Sequence, residues 1–174
     1  ECIPTLPSNS ASTKMLVLEA AKAVSTVETT LATILAQMTE LAKSLPEFSV
    51  IREMPGVGDV LAPRIIAEIG DVRRFHSASA LIAYAGIDTP PYESGDFRAS
   101  NRKITKRGSA SLRKTGYEII QALKVVQPQN DNAVYQYLIK KESEGKPLKV
   151  AKIAALNKFL RIYFARVNEF YLNS

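Results

Sequence analysis

Residues 54–71, MPGVGDVLAPRIIAEIGD, hold the turn on which the predicted fold depends. Gly56 and Gly58 flank a valine, Ala62 lies four residues after the second glycine, and a pair of isoleucines comes next. This order fits the helix-hairpin-helix pattern, in which two glycines allow a tight turn and the N–H groups that begin the next helix can face a phosphate. The alternative is a glycine-rich turn between packed helices, which Asp59 beside the turn favours.

Before this turn, apolar or small residues recur in steps of three and four, which is an a/d heptad pattern. These positions are Val17, Ala20, Val24, Val27, Leu31, Ile34, Met38, Leu41 and Leu45. The pattern predicts a coiled-coil helix over residues 13–46, with Ser12 or Thr13 as its cap and Pro46 at its end. Such a helix would be about 50 Å long, so we expect it to pair, either between chains or as an arm along its own domain.

The remaining chain shows a succession of helix start and stop signals. Ser77 is a candidate cap for a short helix that ends at Gly86, Ser109 for the next helix, and Asn130 or Asp131 for the one after it. The predicted helices cover residues 47–53, about 58–70, 78–85, 110–126, about 131–144 and 148–171. No segment alternates with a period of two, so the prediction is an all-α fold: a long N-terminal coiled-coil helix followed by a compact helical domain.

The last of these helices carries two kinds of residue at helical spacing. Its apolar positions, predicted to be buried, are Val150, Ile153, Ala154, Leu156, Leu160, Tyr163, Phe164 and Val167. Its cations are Lys149, Lys152, Lys158, Arg161 and Arg166. These cations either bind phosphates or form an ordinary polar face of a helix, and the spacing does not choose between the two.

Charge is distributed unevenly along the 174 residues. The net charge is −5 over residues 1–96, +7 over residues 97–127 and +4 over residues 128–174, for a total of +6. This asymmetry predicts a polyanionic partner for the second half of the chain. The predicted phosphate contacts, including the two glycines of the turn, are Gly56, Gly58, Arg98, Arg102, Lys103, Lys106, Arg107, Arg113 and Lys114. The alternative for the cations is a solvated basic surface.

The composition excludes several classes of protein. A single cysteine, Cys2, and a single histidine, His76, exclude a disulfide framework and the usual Cys/His zinc sites. No apolar run approaches the roughly 20 residues of a membrane span, and residues 1–13 do not resemble a signal peptide. A reducing, cytoplasmic setting fits. Residues 1–12 have the composition of a linker, and we expect a further N-terminal segment to precede them.

Several separated motifs resemble the C-terminal transposase domain of the insertion-sequence 110/116/902 family. They are MPGVGDVLAPRIIAEIGDVRRFHSASALIAYAGI from Met54, a Ser-Gly loop, ITKRGSASLRK from Ile104, and GKPLKVAKIAALNKFLRIYFARV from Gly145. They occur in the family's order and spacing over about residues 47–172. The heptad helix before them resembles the coiled-coil segment of that family.

The resemblance implies a prokaryotic, nucleoid-associated DNA recombinase that moves an insertion sequence and is directed by a structured guide, the bridge RNA. In the family, an N-terminal RuvC-like domain carries an acidic quartet that binds a divalent metal, expected to be Mg²⁺. The C-terminal domain supplies a catalytic serine, and the coiled coil supports dimers and tetramers. The metal and its ligands are therefore expected outside this chain, and the fragment alone is expected to be inactive.

By its position relative to ITKRG, the family's serine corresponds to Ser94 in the loop YESGD. Gly95 would allow close backbone approach there, and the arginines and lysines that follow could neutralise a phosphate. The alternative is that Ser-Gly simply forms a turn. Ser100 and Ser109 are the rival nucleophiles, although Ser109 is expected to cap a helix. Glu93 departs from the small or basic residue that the family pattern favours.

The predicted domains are a linker over 1–12, the coiled-coil helix over 13–46 and the transposase domain over 47–174. Within the transposase domain, we expect a helix-hairpin-helix-like motif at 47–70, a catalytic loop at 87–108 and the C-terminal helices at 109–172. Two other functions fit the same residues. One is a non-catalytic helix-hairpin-helix module that binds DNA or RNA, and the other is a purely structural piece for oligomerisation.

Overall fold

A computed structural model describes residues 10–89, 93–94, 97–98, 103–128 and 132–173. The described residues confirm the predicted all-α class, with one pair of two-residue strands in addition. The helices are α1 Ala11–Lys43, α2 Phe48–Arg52, α3 Gly58–Ile69, α4 Ala78–Ala85, α5 Ala110–Val126, α6 Ala133–Ser143 and α7 Leu148–Asn173. A 3-10 turn covers Val72–Arg74, and strands β1 Glu93–Ser94 and β2 Phe97–Arg98 are antiparallel. The chain divides into two units after Leu41.

In the described part of the first unit, residues 11–41 belong to the long helix α1. Its cap is Ser10, whose Oγ accepts from the Thr13 N–H at 3.1 Å. The predicted caps Ser12 and Thr13 are therefore wrong by two or three residues, because the helix already begins at Ala11. The heptad seam is exposed: Leu31 and Ile34 are each 54% accessible. What pairs with this seam stays a prediction.

The second unit packs its helices around α7, which contacts α2, α4, α5 and α6. Its fully buried large side chains are Ile51, Ile65, Ile69, Leu81, Leu112, Ile119, Ile120, Leu123, Leu138, Leu156, Phe159 and Tyr163. These residues come from every helix from α2 to α7, so α7 closes a core to which all the others contribute. Burial of aliphatic and aromatic side chains on this scale is the main stabilising contribution to the fold.

The cap residues of the shorter helices fix where they begin. Ser77 and Ser109 cap α4 and α5 as predicted, since their side chains accept from the N–H groups of Ala80 and Leu112. The prediction for α6 was wrong. Asn132, not Asn130 or Asp131, caps that helix, because its Oδ1 accepts from two N–H groups of the first turn, at 3.1 and 2.9 Å.

The buried face of α7 differs from the predicted one. The helix buries Ala151, Ala155, Leu156, Phe159, Leu160, Tyr163 and Val167. Val150 is 52% exposed, so the prediction was wrong for this residue. Ile153, Ala154 and Phe164 are partly buried, and Ile153 and Phe164 pack against the core. The core follows a four-residue step that begins at Ala151, which leaves Val150 at the surface.

A side-chain hydrogen bond joins the end of α7 to Glu47, the residue before α2. The Tyr171 hydroxyl donates to Glu47 Oε2 at 2.7 Å, and Glu47 is only 7% exposed. The Arg73 guanidinium lies 4.2 Å from the centre of the Tyr171 ring. Burial, together with the bond to Glu47, raises the pKa of Tyr171 to about 12.

We expect Tyr171→Phe to lower the free energy of unfolding at pH 7 by about 1.5–3 kcal/mol, because a buried carboxylate loses a charge-assisted hydrogen bond. The raised pKa also means that Tyr171 stabilises the fold fully below about pH 10 and loses this contribution as the pH rises through about 12. The variant should therefore show a smaller loss of stability between these pH values. Urea unfolding at each pH measures both effects.

Tyr117→Phe, on α5, is the matched control and should leave the unfolding free energy unchanged. Equal stability of Tyr171→Phe and the original chain at pH 7 would show that the hydrogen bond from Tyr171 to Glu47 does not stabilise the fold.

Candidate nucleic-acid interface

The segment ITKRGS, residues 104–109, lies antiparallel to the end of α4. The Thr105 N–H donates to the Asp88 carbonyl at 3.0 Å, and the Lys106 N–H donates to the Gly86 carbonyl at 3.0 Å. The Ser109 N–H donates to the Tyr84 carbonyl at 2.7 Å. Three backbone hydrogen bonds therefore hold a segment that belongs to no helix in one fixed position.

The two backbones approach so closely that only glycine fits where they meet. A Cβ atom at Gly108 would lie 2.0 Å from the Tyr84 carbonyl oxygen, and one at Gly86 would lie 2.7 Å from the Gly108 nitrogen. Gly86 also has φ +65°, the left-handed conformation that ends α4. Because the obstructing atoms belong to the backbone, a side chain at Gly108 would force the segment away from α4.

Two predicted candidates near this contact have bonds within the fold. Arg113 Nη1 donates to the Ala85 carbonyl at 2.9 Å and to the Ser109 carbonyl at 3.3 Å. Ser109 Oγ caps α5 and donates to Glu68 Oε2 at 3.2 Å. These bonds account for both side chains without a ligand, so Ser109 is a capping residue and Arg113 joins α5 to the end of α4.

Lys106 has an unusual backbone conformation for a residue with a side chain. Its φ is 56°, in the left-handed region, while its side chain is exposed. Such a conformation costs about 1–2 kcal/mol in a non-glycine residue and persists only where the surroundings enforce it. The backbone bond to Gly86 supplies that constraint and directs Lys106 to the rim of a groove.

This groove, hereafter the basic groove, lies between the 103–106 segment and α7 and has a volume of about 810 Å³. Its lining residues are Ile87, Thr89, Lys103, Ile104, Lys106, Tyr137, Lys149, Val150, Ile153, Ala154, Asn157, Lys158 and Arg161. Five of these side chains are cations, and no described lining residue is acidic. Asp88, next to Ile87 in sequence, directs its carboxylate to the Thr105 hydroxyl. The arrangement therefore favours an anion with several charges.

Helix α7 contributes three of the five cations, Lys149, Lys158 and Arg161. The sequence left their role open between phosphate binding and a polar helix face, whereas the fold brings them to one groove with Lys103 and Lys106. The other two cations of α7 lie elsewhere. Lys152 Nζ is 5.1 Å from the centre of the Tyr117 ring, and Arg166 lines a separate hollow together with two glutamates, Glu53 and Glu169.

The helix-hairpin-helix-like turn packs against α5. A Cβ at Gly56 would lie 2.7 Å from the Ile119 carbonyl oxygen, so close packing alone requires glycine there. Gly58 has φ +60° and begins α3. Asp59 in the first turn pairs with Arg52, which holds the pKa of that carboxyl below its usual range. This negative charge favours the packed-turn alternative, and a phosphate contact of either glycine stays a prediction.

Four of the other predicted residues fall in the described part of the chain: Ser94, Arg98, Arg107 and Lys114. Ser94 and Arg98 lie in β1 and β2, and Ser94 pairs with Phe97 in the backbone register. Arg102 falls outside the described residues. Arg107 is exposed, and Lys114 lines a shallower hollow beside Tyr117 that shares Ile104 and Ile153 with the basic groove. Among the predicted contacts whose side chains the structure describes, Lys103 and Lys106 are thus the two that line the groove itself.

The described residues contain neither a cluster of metal ligands nor a membrane-spanning helix. Across the described residues, no three His, Cys, Asp or Glu side chains cluster as metal ligands would. None of the described helices is both long enough and apolar enough to cross a membrane.

The described residues thus combine a long exposed heptad helix with a groove of five cations, an arrangement of charge that favours a polyanion. The sequence pattern of the transposase IS116/IS110/IS902 family matches residues 49–136, just over half of the chain. The chain therefore belongs to this transposase family. The matched residues include β1 and one wall of the basic groove, while the α7 wall lies beyond them.

Curated relatives agree with this assignment. The chain is 27% identical to a pilin gene-inverting protein of Moraxella bovis over 137 residues. This aligned region covers 76% of the chain and 42% of the relative. Over 77 residues the chain is 30% identical to the transposase for insertion sequence element IS1111A of Coxiella burnetii, covering 44% of this chain and 21% of the relative. An IS116 protein of Streptomyces clavuligerus is 33% identical over 97 residues, 55% of this chain and 23% of the relative. The chain thus spans less than half the length of these relatives.

We expect Lys106→Gly to separate the stability of the chain from its binding of nucleic acid. Glycine adopts the left-handed conformation without strain, so thermal unfolding should occur at the same or a higher temperature. Loss of the ammonium group should weaken binding of a fluorescein-labelled DNA duplex by about fivefold at low salt, since an exposed charge contact contributes ~1 kcal/mol. Fluorescence anisotropy measures this binding.

Lys106→Arg is the matched control, because it keeps the charge and the backbone conformation. Unchanged DNA binding by Lys106→Gly would show that the rim of the basic groove does not contact DNA.

Proposed function

We propose that this chain is the part of a DNA transposase that holds the phosphodiester backbone of the recombining nucleic acid and supplies the serine nucleophile, Ser94. The observation that carries the proposal is the basic groove, whose described lining has five cations and no carboxylate. A groove of one charge sign concentrates counter-ions and neutralises phosphates. The chain belongs to a transposase family, and transposition cuts and joins DNA phosphodiesters, so family membership supports a phosphate ligand.

The position of Ser94 in the chain supports its link to the groove. Residues 90–102, which include Ser94, connect Thr89 to Lys103, and both of these flanking residues line the basic groove. Both residues that flank the segment are therefore at the groove. A phosphodiester bound along the lysines would lie beside the base of the segment that carries the serine.

The proposed reaction is a phosphoryl transfer with a covalent intermediate. Ser94 Oγ forms a bond to phosphorus while the bond from phosphorus to one bridging oxygen of the DNA breaks. The hydroxyl proton leaves Ser94, and the departing strand ends in a hydroxyl group after it takes up a proton. A DNA hydroxyl reverses the step on the phosphoserine, so strands are rejoined without an external source of energy. The cations of the groove stabilise the charge that develops on the phosphoryl oxygens.

The serine must be activated, since a hydroxyl group is a weak nucleophile. We propose that an acidic, RuvC-like domain outside these residues supplies this activation and carries the divalent metal that the resemblance implies. We propose in addition that a structured guide RNA directs the choice of target at the nucleoid. The relatives named for gene inversion and for transposition are consistent with a recombination reaction of this kind.

In the intact transposase that carries these residues, Ser94→Ala should abolish the covalent protein–DNA adduct that denaturing electrophoresis detects with radiolabelled DNA. Binding of the same DNA should remain within about twofold, because alanine removes the nucleophile and no cation. Ser111→Ala, an exposed serine on α5, is the matched control and should leave adduct formation unchanged.

An adduct that persists in Ser94→Ala would refute the assignment of the nucleophile. Full recombination activity of Ser94→Ala would favour the alternative function, a non-catalytic module that binds DNA or RNA.

We propose that α1 mediates self-association as a coiled coil. Its seam positions Leu31 and Ile34 are more than half exposed, and so are Val17, Val24, Val27 and Leu41. Burial of such a row between two helices stabilises the assembly by about 25 cal/mol for each Å² of apolar surface removed from water. A dimer or tetramer formed in this way would present several copies of the basic groove to nucleic acid.

The double variant Leu31→Asp/Ile34→Asp should therefore be monomeric in sedimentation velocity at concentrations where the original chain forms dimers or tetramers. Charges at two seam positions are buried without partners in the assembly, which is strongly unfavourable. Ala32→Asp, an exposed position of α1 outside the heptad seam, is the control and should keep the assembly. A monomeric original chain at all concentrations would contradict the proposed coiled coil.

A further inference from the structure

The basic groove is lined by more than charge. Five aliphatic side chains also line it, and we call them the aliphatic floor: Ile87, Ile104, Val150, Ile153 and Ala154. Val150 is 52% exposed although valine side chains usually lie inside proteins. Phosphates alone give no reason for an apolar floor, because a phosphate is better solvated by water or by polar groups.

A polar group lies at the same floor. The Arg161 Nε–H donates to Asn157 Oδ1 at 3.0 Å, which fixes the Asn157 amide and directs its carbonyl toward the arginine. The Asn157 NH2 group remains as a donor, and no bond from it to another described residue is formed. An asparagine amide held in this way can donate to an acceptor on the edge of a base.

An aromatic ring completes the wall. Tyr137 lines the groove, and Lys158 Nζ lies 5.0 Å from the centre of its ring. Nucleic acids that are not paired offer base faces that pack on aromatic and aliphatic side chains, while their phosphates bind cations. In a duplex these faces are stacked within the helix and cannot reach a floor. The volume of about 810 Å³ is that of a cleft for a compact organic ligand.

We infer that the basic groove binds an unpaired nucleotide, with its phosphate at the lysine rim and its base against the aliphatic floor, where Asn157 donates to the edge of the base. This inference rests on the proposed function only in taking nucleic acid as the ligand. The nucleotide belongs to a DNA strand that has been opened or to a single-stranded part of an RNA, and both present the same chemistry to the groove.

The test uses the 174-residue chain and three fluorescein-labelled probes in anisotropy titrations. The probes are oligothymidine, the same DNA backbone with abasic residues in place of the bases, and oligouridine. We expect oligothymidine to bind about tenfold more tightly than the abasic strand, because one base contact contributes about 1–3 kcal/mol. This comparison uses the unaltered protein and does not depend on the folding of a variant. If oligothymidine binds more tightly than oligouridine, the unpaired nucleotide belongs to DNA. If oligouridine binds more tightly, it belongs to RNA.

Val150→Ser tests the floor directly. It should weaken oligothymidine binding by about fivefold, since an aliphatic side chain that a bound base covers contributes on the order of 1 kcal/mol, and should not change binding of the abasic strand. Val60→Ser is the matched control, because Val60 is the third residue of α3 as Val150 is of α7, and it is 65% exposed. Lys149→Gln should weaken binding of both strands equally.

Equal affinities for oligothymidine and the abasic strand would overturn the inference, as would an equal effect of Val150→Ser on both strands. In either case, weakening by Lys149→Gln would leave the phosphate-binding function intact, whereas no effect of Lys149→Gln would refute that function as well. Polyglutamate that competes as well as oligothymidine would assign the groove to acidic peptides and would also overturn the inference.

Discussion

The contact between the backbones at Gly86 and Gly108 is the constraint on which the functional surface depends. Any side chain at Gly108 would meet the Tyr84 carbonyl, and the close approach lets three backbone hydrogen bonds hold the ITKRGS segment against the end of α4. Ser109 then begins α5, and Arg113 bonds back to the end of α4. One contact between backbones therefore fixes the end of α4, the start of α5 and the two lysines, Lys103 and Lys106, that precede Gly108.

The basic groove follows from that contact together with the packing of α7. Because the core of α7 follows a four-residue step from Ala151, the first apolar positions of the helix face outward beside the fixed segment. Cations on both sides then surround an aliphatic floor. One wall of the groove therefore lies within residues 49–136, which match the family pattern, and the other wall belongs to α7, which follows them in sequence. Its charge is suited to phosphates and its floor to apolar faces.

Much of this structure could be predicted from local signals. The heptad steps gave the long helix, and Ser77, Ser109 and Gly86 gave the ends of two others, because caps and left-handed glycines act within a few residues. The groove could not be predicted in this way. Val150 and Ile153 have the spacing of core residues, and only the tertiary packing of α7 leaves Val150 exposed and Ile153 partly exposed in a groove shared with Lys103 and Lys106. The strict glycine at position 108 likewise depends on a carbonyl 24 residues earlier in the chain.

If the basic groove holds a phosphate backbone, the salt dependence of DNA binding must depend on the lysines of the groove. The measurement compares the chain with Lys149→Gln/Lys158→Gln and with the control Lys140→Gln/Lys146→Gln, whose lysines lie outside the groove. Each lost phosphate contact lowers the slope of log K against log salt concentration by about 0.9. The slope should fall by about 1.8 in the groove variant and stay unchanged in the control. An unchanged slope in the groove variant would show that the groove does not hold the phosphate backbone.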